Sequence, residues 1–170
     1  MERPVHFLTT GGTIDKIYFD AKSEYEVGPP QVVEVLREGN VTIPHLVEPL
    51  LAKDSLELTP EDRELIRQRV AASPHDQIVI THGTDTMVQT AAVLRSIPHK
   101  TIVLTGSMQP ARMRNTDAVF NIGTALAAVQ CLPPGVYLAM NGRIFPADQV
   151  RKNVAERRFE TLNPRGAEAR

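Results

Sequence analysis

The feature that most limits the fold is a repeated alternation along the chain. Short apolar runs of strand length occur at residues 5–10, 46–52, 77–81, 101–105 and 136–140. Between most of them lie stretches with helical spacing, at residues 31–38, 59–72, 85–94 and 116–130. Strands that alternate with helices build βαβ units, and these require parallel strands and crossover connections. The runs are apolar throughout rather than alternating, as suits strands covered on both faces. The expectation is an α/β fold: an open, mostly parallel sheet with helices on both faces. The helix signals are local and specific. Thr59 is placed to cap, Pro60 fits the first helical position, and Glu61 and Asp62 face the positive end of the helix dipole. Pro49 inside the 46–52 run moves that strand toward an edge. Cys131 is expected as a small buried hydrophobe near a helix end.

Two segments resist this pattern. Residues 11–29 carry Gly11, Gly12, Gly28 and Pro29, with Pro30 next, and no steady period, and they are expected as a long functional loop. Residues 143–170 hold seven basic and four acidic residues, and they are expected as solvated surface or linker. One domain over residues 1–162 followed by a tail at 163–170 accounts for the 170 residues, since that length can bury a core without staples. The net charge of −1 argues against a nucleic-acid partner, and the basic segment, with only Phe145 and Phe159, lacks the repeated aromatic interleaving that a single-strand binder uses. A single cysteine excludes an intrachain disulfide framework, and the five histidines have no metal-ligand spacing, so no metal is expected. The uncharged stretch 118–142 is divided by Pro133-Pro134-Gly135, which argues against a membrane span. A cytoplasmic location is the default expectation.

Three of the apolar runs end alike: Thr9-Thr10-Gly11-Gly12-Thr13, Thr81-His82-Gly83-Thr84-Asp85 and Thr105-Gly106-Ser107. In a parallel sheet these ends share the C-terminal edge, where open α/β sheets bind ligands. Glycine lets a backbone approach a ligand and present its N–H groups, while hydroxyls serve as donors or nucleophiles. One such ending is ordinary turn and cap chemistry; three on one edge point to a site. No Gly-x-Gly-x-x-Gly, phosphate loop or Gly-x-Ser-x-Gly elbow is present, so nucleotide and serine-hydrolase readings are weak. An alcohol nucleophile needs a base, and the available activators are Asp85 and one of Lys16, Lys22, Lys53, Lys100 and Lys152.

These segments resemble a known family. Residues 10–14 (TGGTI) and 80–87 (ITHGTDTM) look like the two signature segments of bacterial-type L-asparaginases. Residues 23–27, Asp54-Ser55, 59–62, 106–110 and 150–152 match in the same order. The resemblance implies an amidohydrolase that converts L-asparagine to L-aspartate and ammonia without cofactor or metal, with L-glutamine a weak alternative. By the same resemblance Thr13 is the primary nucleophile, and Tyr25 lies on a closing loop and positions it. Thr84, Asp85 and Lys152 form a second constellation in which Lys152 activates and Asp85 orients the lysine and meets the substrate amine. Ser55 and Gly83 hold the α-carboxylate, and the Ser107 carbonyl meets the side-chain amide. His82 is a spacer beside Gly83 rather than a base. On physical grounds, backbone N–H groups near Gly12 or Thr84 are placed to stabilise the developing oxyanion.

Leu56 and Asp15 depart from the family pattern, which has a polar and a small residue there. Two-domain members carry a smaller second domain, for which no residues can be mapped here. The expectation is therefore an N-terminal-type domain alone, either a truncated copy or a short form that completes its site differently, working as a homo-oligomer because the surface normally covered needs another partner. Two other classes fit the same residues. One is a non-catalytic module that binds aspartate or asparagine; the other is a glutaminase-type subunit that supplies ammonia to a partner.

Overall fold

The computed structural model describes residues 3–162; the expected tail at 163–170 lies outside the described residues. Its centre is a six-stranded sheet in the order β4-β1-β5-β6-β7-β8. The strands are β1 (Val5–Gly11), β4 (His45–Lys53), β5 (Gln77–Thr81), β6 (Thr101–Thr105), β7 (Gly135–Met140) and β8 (Arg143–Pro146). The first five are parallel, and β8 runs antiparallel to β7. β4 lies at an edge, as Pro49 suggests, with Pro49 in register with Thr9. The helices are α1 (Val32–Glu38), α2 (Pro60–Ala72), α3 (Met87–Leu94) and α4 (Ala118–Cys131).

The buried side chains alternate along each strand and divide between two cores. Leu8, Ile78, Ile80, Ile102, Leu104 and Leu138 pack with Ile66 and Val70 of α2 and Met87 and Leu94 of α3. Phe7, Val79, Val103 and Ala139 pack with Val32 and Leu36 of α1 and Ile122 and Ala125 of α4. The period of two places helices on both faces, as the uniformly apolar runs predict. Local chemistry sets the start of α2. Thr59 accepts the Asp62 N–H at 3.2 Å, and the Asp62 carboxylate accepts the Thr59 N–H at 2.9 Å, a reciprocal capping box.

Three expectations are corrected. Residues 11–29 are not one long loop: a 3-10 turn (Thr13–Asp15) leads into a hairpin of β2 (Lys16–Phe19) and β3 (Glu24–Val27). Tyr18 and Tyr25 face each other across it, with ring centroids 5.4 Å apart, a cross-strand aromatic pair of the kind that stabilises two-stranded ribbons. Residues 143–162 are not linker. They form β8 and a second hairpin of β9 (Val150–Asn153) and β10 (Arg158–Thr161), which bury Phe145, Val150 and Phe159 in the α2/α3 core. Arg151 and Arg158 both reach Glu160 in surface ion pairs. Cys131 is exposed, because the buried face at the end of α4 is taken by Ala128 and Val129. Among the described residues no helix is long and apolar enough to cross a membrane.

Candidate active site

The three alike strand ends meet in register. Thr9 pairs with Thr81, and Thr81 with Thr105. Thr10 Oγ1 donates to the Thr81 carbonyl at 2.9 Å, and the His82 N–H donates to the Thr105 carbonyl at 2.9 Å. Beyond these bonds the backbones close up further. Gly12 has φ +87°, and a Cβ there would lie 2.4 Å from Gly83 Cα. A Cβ at Gly83 would lie 2.5 Å from Ser55 Cβ. Only glycine permits both the left-handed backbone and this contact. Gly12, Gly83 and Ser55 therefore form one continuous floor at the sheet edge. Ser55 Oγ is buried and has no hydrogen-bond partner among the described residues. Thr86 Oγ1 donates to the Ser55 carbonyl at 2.7 Å and fixes the turn that carries it.

Beside this floor is a cavity of about 400 Å³, lined by Thr13, Thr84, Asp85, Met108, Gln109, Lys152, Val154 and Arg157. Three connections after strands converge on it, and the 150–161 hairpin closes one side. Lys152, on β9, is drawn inward by two partners. Its ammonium donates to Thr84 Oγ1 at 2.8 Å and to Asp85 Oδ1 at 2.5 Å. The Lys152 side chain is 14% exposed and that of Asp85 43%, so this charge-assisted pair sits at the rim rather than in the core.

His82 is not among the residues that line the cavity. It is wholly buried, and desolvation pushes its imidazole down to about 4. Nδ1 lies 2.7 Å from the Gly83 carbonyl and Nε2 lies 2.8 Å from Thr90 Oγ1. A carbonyl only accepts, so the proton is on Nδ1 and Nε2 accepts from Thr90. Both nitrogens are used in fixing Gly83. The loop after β6 is fixed by residues without an obvious sequence signal. The Asp117 carboxylate accepts the N–H groups of Met108 and Gln109, each at 3.0 Å. Asn121 Nδ2 donates to the Gly106 carbonyl at 2.9 Å.

The expected residues divide as follows. Thr13, Thr84, Asp85 and Lys152 line one cavity, and Gly12, Gly83 and Ser55 form the floor beside it. Ser107 is buried next to the cavity-lining Met108, with its hydroxyl donating to the Gln109 carbonyl at 2.5 Å. Tyr25 is not in the cavity lining; its ring is half-exposed against Tyr18 on the hairpin. Met108, Gln109, Val154 and Arg157 line the cavity although their sequence positions carry no role. Met108 and Gln109 are signalled by the motif around Ser107, while Val154 and Arg157 lie in a turn of the segment expected as linker. Among the described residues no group of three or more His, Cys, Asp or Glu side chains is placed to hold a metal ion.

A second polar chain lies at the other end of β1. His6 Nδ1 is 2.9 Å from Ser73 Oγ, and His6 Nε2 is 3.1 Å from Glu48 Oε2. It resembles a serine–histidine–carboxylate relay, but His6 and Ser73 are buried and neither lines the cavity beside Thr13. Arg69 grips Glu48 through two bonds, at 2.5 and 2.7 Å, which makes the group a structural tie between β1, β4 and α2.

Residues 4–166 match the family model described as Asparaginase, N-terminal. The L-asparaginase of Thermococcus kodakarensis is 32% identical over 166 residues, which is 92% of this chain and 50% of that protein. A glutamyl-tRNA(Gln) amidotransferase subunit of Aeropyrum pernix is 31% identical over 146 residues, 78% of this chain and 33% of that protein. A solved structure of the thermostable L-asparaginase from Thermococcus kodakarensis superposes with a TM-score of 0.80 at 30% identity, covering 93% of this chain and 51% of that one. The chain thus spans about half the length of the L-asparaginase it matches.

Proposed function

This chain belongs to the asparaginase family, a family of hydrolases, and from that premise we propose that it hydrolyses L-asparagine to L-aspartate and ammonia through a threonine nucleophile. The observation that carries the reading is the meeting of Thr13 with the Lys152–Thr84–Asp85 chain in one cavity. The Thr13 hydroxyl oxygen attacks the side-chain amide carbon, and the hydroxyl proton passes to the departing nitrogen, which leaves as ammonia. The resulting aspartyl ester is attacked by a water at the same carbon. The water adds its oxygen to the new carboxyl group; one of its protons returns to the Thr13 oxygen, and the other is released as that carboxyl ionises. Thr84 relays protons between the reacting atoms and the Lys152 amine, with Asp85 holding that amine in line. Asp85 is exposed enough to meet the substrate amine as well. The unpartnered Ser55 hydroxyl and the backbone beside Gly83 suit the α-carboxylate, and N–H groups near Gly12 suit the oxyanion. The Ser107 carbonyl meets the side-chain amide. Tyr25 reaches Thr13 when the hairpin folds over bound substrate, and closure excludes competing water.

L-glutamine belongs to the same reading as a weaker substrate, because one methylene changes discrimination by only about 1–3 kcal/mol. Assembly as a homo-oligomer belongs to it too, with half-exposed or more exposed Val119 and Phe120 on α4 available to a second copy. The test is ammonia release from asparagine by the purified chain. Thr13→Ala and Lys152→Ala should each lower it at least about a hundredfold. Unchanged release in both variants would remove the assignment.

A second reading is favoured by the similarity to an amidotransferase subunit. In it the same cavity acts on glutamine and passes ammonia to a partner protein. Glutamine turnover that exceeds asparagine turnover supports this reading; the opposite preference supports the first. Aspartate binding without ammonia from either amide would mark a binding module instead.

A further inference from the structure

The turn that carries Thr13 is held from behind by a group that the proposed reaction does not use. Asp15 lies two residues beyond Thr13 in the same 3-10 turn, and it is 2% exposed. Its Oδ1 accepts the Gln31 N–H at 2.8 Å, at the residue that precedes α1. The Gln31 side chain is fixed in turn: Oε1 accepts from Arg112 Nε at 2.8 Å, and Nε2 donates to the Pro29 carbonyl at 2.7 Å. The backbone of the turn is tied at two further places. The Gly28 N–H donates to the Asp15 carbonyl at 2.8 Å and closes the base of the β2–β3 hairpin. The Ala111 N–H donates to the Ile14 carbonyl at 3.1 Å, joining the turn to the loop that brings Met108 and Gln109 to the cavity.

Of the charged groups on these elements, Asp20, Glu24, Glu38 and Arg114 are exposed, and the rest have other partners. Lys16, next in the chain, pairs with Asp54 at 2.8 Å, Glu34 of α1 pairs with Arg37, and Arg112 is bonded to Gln31. The Asp15 carboxyl is therefore buried against a backbone N–H rather than a cation. We infer that Asp15 is a positioning residue: its buried carboxyl, through the Gln31 amide, fastens the Thr13 turn and the base of the hairpin to the start of α1. Burial raises this carboxyl to about 7, with the Gln31 N–H acting in the opposite direction. The neutral acid avoids the cost of burying a charge in the turn. The ionised form favours an opened turn in which water reaches it, so the fastening loosens as pH rises through neutrality.

The kinetic arm of the test rests on the proposed hydrolysis; the exchange arm does not. Amide hydrogen exchange over residues 12–31 is measured at pH 6 and pH 8, corrected for the intrinsic dependence of exchange on pH. In the unaltered chain the segment should exchange about tenfold faster at pH 8 after correction. Asp15→Asn keeps the acceptor and cannot ionise, so its protection should be equal at both values, with kcat retained. Asp15→Ala loses the acceptor; protection should fall at both values and kcat should fall about ten- to a hundredfold with little change in KM. Equal protection of the unaltered chain at both pH values would overturn the inference. So would an Asp15→Asn variant that keeps the difference, or a folded Asp15→Ala variant with undiminished protection. Should no ammonia be released by the unaltered chain, the reaction is refuted while the exchange arm still decides the role of Asp15.

Discussion

Gly12 and Gly83 occupy positions where any side chain collides. A methyl group at Gly12 meets the backbone of Gly83 at 2.4 Å, and φ +87° is a conformation that L side chains avoid. Gly12→Ala should therefore destabilise the fold by more than about 2 kcal/mol, read as a lowered urea midpoint with an unchanged slope. These glycines and their hydroxyl neighbours were legible in the sequence because their chemistry is local: each follows an apolar run and precedes a turn. Asp117 and Asn121 were not legible. They act by bridging to backbone groups of Gly106, Met108 and Gln109 across the loop, and no local spacing announces a bridge. His82 could be placed as a spacer, but only its two bonds, to Gly83 and Thr90, show how it does so.

Elements built on a helical or strand period could be placed from the chain alone, with their ends within about two residues. Capping chemistry made α2 the clearest, since Thr59, Pro60 and Asp62 all act on one turn. The two hairpins were hidden for a physical reason. Their strands are four residues long, their outer faces are charged, and what stabilises them is pairing across the turn and a few inward side chains. The β9–β10 hairpin has the larger consequence because β9 delivers Lys152. Phe159, in register with Lys152, is 3% exposed and packs into the α2/α3 core. Phe159→Ala should destabilise by about 3–5 kcal/mol by leaving a cavity. It should also lower ammonia release more than a core truncation distant from the cavity, such as Val129→Ala. Equal activities in two variants that both remain folded would show that the hairpin does not position Lys152.

At the scale of the whole molecule, buried His82 and Asp15 and half-buried Glu48 give stability an opposed dependence on pH. His82 has its imidazole lowered to about 4 from 6.5 by desolvation. The unfolded chain binds that proton first, so stability falls as pH falls from about 6.5 to 4, by at most about 3 kcal/mol. Glu48 acts in the same direction: Arg69 holds its carboxylate below the usual range, so its contribution is lost as acid protonates it. Asp15 acts in the other direction. Its raised carboxyl binds a proton in the folded chain first, so stability falls as pH rises from about 4 to 7. His82→Asn should flatten the acid limb and Asp15→Asn the limb approaching neutrality, both read from thermal midpoints between pH 4 and 8. Parallel curves for either variant and the unaltered chain would contradict the assignment of that limb.

Cleavage of the amide in the cavity at the sheet edge, with Thr13 as the attacking group, is the central claim. Acid-quenching the chain during turnover of asparagine, followed by proteolysis and mass spectrometry, tests that claim without reference to rates. The prediction is an aspartyl ester on the peptide that contains Thr13, absent from Thr13→Ala. An ester on another residue, or ammonia release with Thr13 replaced and no loss of rate, would contradict it.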